Sequence, residues 1–91
     1  MKTHKIKLNI EFCDAVLSGE KSFEVRINDR GYQTGDLIEF VPTNGTVYYY
    51  DGKPVEQAKH EISNRTYEIT YIINGYGLKN GYVAFGIKEV G

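Results

Sequence analysis

From His4 to Ile10 the apolar side chains Ile6, Leu8 and Ile10 alternate with Lys5, Lys7 and Asn9, the period of two expected of a strand with one buried face. The period then lengthens. Phe12, Cys13, Val16 and Leu17 form an apolar stripe on a helix of about two and a half turns that runs through Ser18. Asn9 is its N-cap, Glu11 favours its first turn, and Gly19 supplies a left-handed exit.

Alternation resumes from about Lys21 to Ile27, with Phe23, Val25 and Ile27 on one strand face and Ser22, Glu24 and Arg26 on the other. The polar face is the candidate floor of a site. Asn28-Asp29-Arg30-Gly31 and Thr34-Gly35-Asp36 are turn chemistry on either side of a short connection. Leu37 to Val41 then predicts a strand too apolar to be exposed on both faces, ended by Pro42. Turn residues at 43–46 and at Asp51-Gly52 bracket Val47-Tyr48-Tyr49-Tyr50 and predict a protruding hairpin, while Lys53 to Asn64 is polar and carries no clear period. Thr66 to Ile73 sets Tyr67, Ile69, Tyr71 and Ile73 against Thr66, Glu68 and Thr70, which reads Tyr67 and Tyr71 as core or barrel-wall residues. A glycine-punctuated loop from Asn74 to Gly81 precedes the closing strand, Tyr82 to Val90, with Val83, Phe85 and Ile87 on one face.

One early helix and five or six strands joined by short turns describe an α+β domain whose mainly antiparallel sheet curls into a small β-barrel. Closure of that kind covers edges that otherwise invite association. With 91 residues, residues 1–91 form a single domain with one core.

Charge and composition narrow the function. A net charge of -1, from 11 basic and 12 acidic side chains, weighs against a binder that works by bulk counterion release from nucleic acid, so any such contact is local. Eight tyrosines and four phenylalanines leave stacking on a base open, worth about 1–3 kcal/mol per base without a large basic patch. Cys13 is the only cysteine, so no internal disulfide forms, and it reads as buried packing in a cytoplasmic protein. The amino-terminal residues carry charge but no apolar run long enough for a signal peptide or membrane span. His4 and His60 lack metal-ligand spacing and read as ordinary surface histidines, so neither metal nor cofactor is expected.

Lys21, Glu24 and Arg26 are the residues most suited to chemistry, because a cation, an anion and a second cation lie on one short strand just behind a helix stop. The plainer account is mutual pairing of Glu24 and Arg26, two apart on one face. The order helix, Gly19-x-Lys21-x-x-Glu24-x-Arg26, then Asn28-Asp29-Arg30 and Gly35-Asp36 resembles the ASCH superfamily, whose members have a PUA-like β-barrel fold. Val41, Thr70-Tyr71-Ile72 and the run Gly77-Leu78-Lys79-Asn80-Gly81-Tyr82-Val83 are similar to a small ASCH subfamily of bacterial and phage proteins. The likeness spans the chain except for about 43–64.

The resemblance implies a PUA-like ASCH domain that binds RNA or a modified nucleoside or nucleotide in a cleft between helix and barrel. Lys21, Glu24 and Arg26 would line it, with Asn28, Asp29 and Arg30 at its mouth and Gly19 as the motif glycine. Lys21 suits a phosphate, Arg26 a planar fork or stack, and Glu24 an amine or ribose hydroxyl. An alternative is a small amidohydrolase acting on N4-acylated cytidine-type nucleosides with Lys21 and Glu24 as catalytic groups. Gly19, Lys21 and Arg26 match such ASCH enzymes, but Glu24 stands where they carry a threonine nucleophile. A third reading is a protein-interaction adaptor anchored by Tyr48, Tyr49 and Tyr50.

Overall fold

Strand β1 (Thr3–Asn9) buries His4, Ile6 and Leu8 and exposes Thr3, Lys5 and Lys7, so the alternation in sequence is the alternation in space. It ends at Asn9, because Ile10 already belongs to helix α1 (Ile10–Ser18). The remaining elements are β2 (Phe23–Ile27), β3 (Leu37–Thr43), a 3₁₀ turn (Glu61–Asn64), β4 (Thr66–Ile73) and β5 (Tyr82–Val90). The computed structural model describes residues 1–44 and 58–91. The predicted tyrosine hairpin, with Tyr48, Tyr49 and Tyr50, lies outside the described residues.

The five strands form one curled sheet in the order β1-β3-β4-β5-β2, giving an α+β half-barrel. Pairing is antiparallel except between β1 and β3, which run parallel because the chain crosses back through α1 and β2 before β3 begins. Ile6, Ile38, Phe40, Ile69 and Phe85 fill the concave side, and α1 adds Cys13 and Val16. Ile62 of the 3₁₀ turn is fully buried there. The stretch from Lys53 to Asn64 is mostly polar, and nothing in it sets Ile62 apart from Val55 and Ala58 as a core residue. No helix among the described residues is long and apolar enough to cross a membrane.

Two expectations fail because of how the strands pair. Pro42 does not end β3, which continues through Thr43 in register with β1. Strand β4 pairs with β3 only at Leu37 and Ile38, so the missing proline N–H falls on an edge without a ladder, where the Pro42 carbonyl accepts from Ala58 N at 2.9 Å. In β4 the register slips between Ile69 and Tyr71, leaving Thr70 as an extra residue against β5. The bulge reverses the alternation beyond it. Tyr67 is buried as expected, but Tyr71 is 70% exposed and Ile72 packs against the core instead.

His4 is not a surface histidine. Its ring is buried, donates or accepts at 2.8 Å with Asp36, and lies 4.8 Å from the Tyr32 ring. Asp36 also accepts from the backbone N–H groups of Lys2 and Gln33, both at 3.1 Å, so one buried carboxylate fastens the loop before β3 to β1. His60 is likewise engaged: Nδ1 accepts from Ile62 N at 2.9 Å and Nε2 meets Asp14 at 2.7 Å, tying the 3₁₀ turn to α1.

Burial opposes ionisation of Asp36, but the hydrogen bonds from His4, Lys2 and Gln33 and the adjacent His4 charge outweigh it, holding the carboxyl below its ordinary value of 3.8. A lowered folded-state value contributes stability above the unfolded value and loses it as pH falls through the folded one. Urea unfolding at a series of pH values should therefore show a decline below about pH 4 that Asp36→Asn flattens. At pH 7 the variant should lose about 2 kcal/mol, the size of charged hydrogen bonds forgone. Equal pH slopes in the two proteins would contradict this role.

Candidate functional site

Gly19 ends α1 at φ 86°, a left-handed conformation in which glycine avoids the penalty of a Cβ. Its N–H reaches Val16 O at 3.1 Å, and Lys21 N donates to Ala15 O at 2.9 Å. The chain therefore leaves the helix with Lys21 already fixed to it. Ser22 O then accepts from Ile87 N at 3.0 Å, which seats the start of β2 against β5.

On β2, Glu24 is the inward residue. Its side chain is 6% exposed, with Oε1 bonded to Lys21 Nζ and Oε2 3.0 Å from Arg26 Nε. Thus one carboxylate holds both cations, one through each oxygen. Lys21 also donates to Phe23 O at 2.9 Å, and its ammonium lies 5.1 Å from the Phe23 ring and 5.6 Å from the Phe12 ring. The pairing expected from the spacing of Glu24 and Arg26 is present, and it builds the cluster instead of replacing it.

Strands β1 and β2 are the two ends of the sheet, and no ladder joins them among the described residues. Side chains cross the gap. Arg26 Nη2 donates to the Lys7 carbonyl and Arg30 Nη1 to the Lys5 carbonyl, the latter at 3.1 Å. Lys5 and Lys7 are two apart, so their carbonyls face the same edge. The expected barrel closure is therefore made by guanidinium groups.

A hollow of about 600 Å³ opens along this seam, bordered by Lys21, Glu24, Arg26, Asp29 and Arg30. Its apolar walls are Phe12, Phe23, Val25 and Ile27, which are 43%, 51%, 48% and 54% exposed. The apolar face of β2 thus looks outward while its acidic residue is buried, the reverse of an ordinary amphipathic strand. Tyr32 backs the hollow, packed 5.0 Å from Phe85; burial raises its hydroxyl pKa against the opposing pull of Arg26 and Arg30.

Lys21, Glu24, Arg26, Asp29 and Arg30 border this one hollow. Asn28 does not join them: its side chain accepts from Tyr32 N at 3.1 Å and its N–H reaches Gly81 O, so it shapes the turn and borders a neighbouring hollow. Sequence reasoning missed Tyr32, Phe12 and the β1 carbonyls. Phe23, Val25 and Ile27 were read as one strand face, but alternation alone does not say that this face turns outward. Among the described residues, no three His, Cys, Asp or Glu side chains gather as a metal site.

Removing Glu24 should leave two neighbouring cations without their shared anion. Because Lys21 and Arg26 are 19% and 24% exposed, we expect Glu24→Ala to cost about 2 kcal/mol in urea unfolding, less than a fully buried pair. A loss within about 0.5 kcal/mol, as for a plain surface site, would contradict the clamp.

Comparison with known proteins gives the family and the fold. The crystal structure of hypothetical protein PH0355 superposes with a TM-score of 0.59 at 18% identity, over 99% of this chain and 100% of that one, a likeness of fold. The "Uncharacterized 12.9 kDa protein in GpA 3'region" of Escherichia phage P2 is 43% identical over 37 residues. That match takes in 41% of this chain and 34% of the phage protein, about a third of the relative's length. Residues 3–87 match a family described as "Domain of unknown function (DUF3850)", and the chain belongs to that family.

Proposed function

We propose that the seam hollow binds a nucleotide or modified nucleobase of RNA and that the protein acts as a binding module, not as an enzyme. The single observation that carries this reading is Glu24 holding Lys21 and Arg26 side by side at a hollow walled by exposed apolar and aromatic side chains. A nucleotide has the matching chemistry of a flat ring joined to an anion. The likeness of the Gly19-to-Arg26 motif to the ASCH superfamily, with its PUA-like fold, supports the same reading.

Donor counting assigns roles. Of the five guanidinium N–H groups of Arg26, the bonds to Glu24 and Lys7 use two, which leaves three for a phosphate or base edge. Lys21 uses two of three on Glu24 and Phe23 O and keeps one. Each Glu24 oxygen retains a lone pair beyond its cation contact, enough to accept one amine or hydroxyl from a ligand. Phe12 and Phe23 supply ring faces, and the cation above each limits how a base slides across them.

The amidohydrolase reading keeps the same residues in catalytic roles, Lys21 and Glu24 acting on an N4-acylated cytidine. Here both Glu24 oxygens already contact cations, so Glu24 fits a positioning group better than an attacking one. Reading the site as a nucleotide pocket instead predicts no turnover.

Titration with nucleoside monophosphates, followed by amide chemical shifts, tests the proposal. Resonances from Lys21 to Arg30 should move at millimolar ligand or below, and Arg26→Ala should weaken binding about tenfold or more, the loss of a charged fork. Silent resonances in that segment would refute the assignment. Lys21-dependent release of acetate from N4-acetylcytidine would replace it with the enzymatic reading.

A further inference from the structure

The loop between β4 and β5 makes a tight turn over Gly75 to Leu78, closed by Leu78 N donating to Gly75 O at 2.9 Å. Gly75, Tyr76 and Gly77 all have positive φ, at 74°, 51° and 89°. Glycine adopts such angles freely, but tyrosine does so at a cost of order 1–3 kcal/mol. The turn presents the Tyr76 ring to solvent, 94% exposed, and Tyr71, turned outward by the β4 bulge, is 70% exposed close by on the same hollow.

This loop is continuous with the seam. Tyr82 borders both the seam hollow and a second hollow of about 580 Å³ that contains Lys79 and Asn80. Asn28 and Asn74 border that second hollow and also a third, where Tyr71 and Tyr76 stand. A track therefore leads from Lys21 and Arg26, past Lys79, to two exposed tyrosine rings. Asn28 N donating to Gly81 O fixes the turn after β2 to the far end of the loop, so the two stretches keep a set spacing.

The geometry points to a single-stranded RNA segment as the ligand, with one nucleotide in the seam and its neighbours running along the track to stack on Tyr76 and Tyr71. This rests on the nucleotide reading of the seam and narrows it from a free nucleoside to a strand. Alternating cations and ring faces are what successive phosphates and bases require. Lys79 is the point charge for a flanking phosphate, and the amides of Asn28, Asn74 and Asn80 offer polar contacts between the stacked positions. A lone nucleoside would leave Lys79 and both tyrosines unused.

Fluorescence anisotropy with a labelled RNA hexamer, beside titration with a nucleoside monophosphate, tests this on the full chain. Wild type should bind the hexamer at least tenfold more tightly than the monophosphate. Tyr76→Gly should weaken the hexamer about fivefold or more, in line with loss of one stacked base, and leave monophosphate binding unchanged. The same variant should not lower the melting temperature, because glycine relieves the positive φ. A ring needed only for folding would give the opposite pattern. Lys79→Gln should lower the slope of log affinity against log salt by about 0.7, the share of one single-strand phosphate. A hexamer bound no better than the monophosphate, or a hexamer affinity unaffected by Tyr76→Gly, would overturn the strand while sparing the seam. Failure of both ligands to bind would overturn both.

Discussion

A single carboxylate organises the candidate site. Glu24 is drawn inward because each of its oxygens meets a cation, and those cations arrive from different parts of the fold: Lys21 from the end of α1 and Arg26 from β2 itself. With Glu24 directed inward, strand alternation forces Phe23, Val25 and Ile27 outward. The ion cluster and the exposed apolar wall are thus two results of one orientation. Packing alone would favour the opposite one, since burying three apolar side chains is worth several kcal/mol by area. A strand that gives this up retains apolar surface at its edge for something other than the core.

The seam extends that logic to the barrel. Ladder hydrogen bonds across β1 and β2 would close the sheet and fill the space that the hollow now occupies. Guanidinium groups reach across instead, satisfying β1 carbonyls while keeping the strands apart. Arg26 therefore belongs both to the closure of the fold and to the site. The buried Asp36 cluster braces the same region from behind, because His4 on β1 and Tyr32 behind the hollow pack against each other.

Much of this is legible in the sequence where a short-range rule operates. Periods of two gave β1, β4 and β5; Asn9 and Gly19 marked both ends of α1; and Lys21 close before Glu24 and Arg26, just behind the helix stop, marked the cluster. The failures share a cause, for each depends on a partner distant in the chain. Pro42 is tolerated because of which edge of β3 is unpaired, Tyr71 turns outward because the register with β5 slips at Thr70, and His4 is buried because Asp36 lies beside it. The outward apolar face of β2 is the most instructive case. Its alternation was plain, but the side that turns inward was decided by an ion cluster instead of by hydrophobicity.

The most direct test is hydrogen exchange at the Arg26 side chain, read by NMR from its Nε–H resonance in wild type and in Glu24→Gln. Wild type should give a sharp, slowly exchanging signal, held by the 3.0 Å bond to Glu24, and the variant a marked loss of protection. Exchange as fast as that of a free arginine in the wild-type protein would mean that Glu24 does not hold the cluster, and the site as described would not exist.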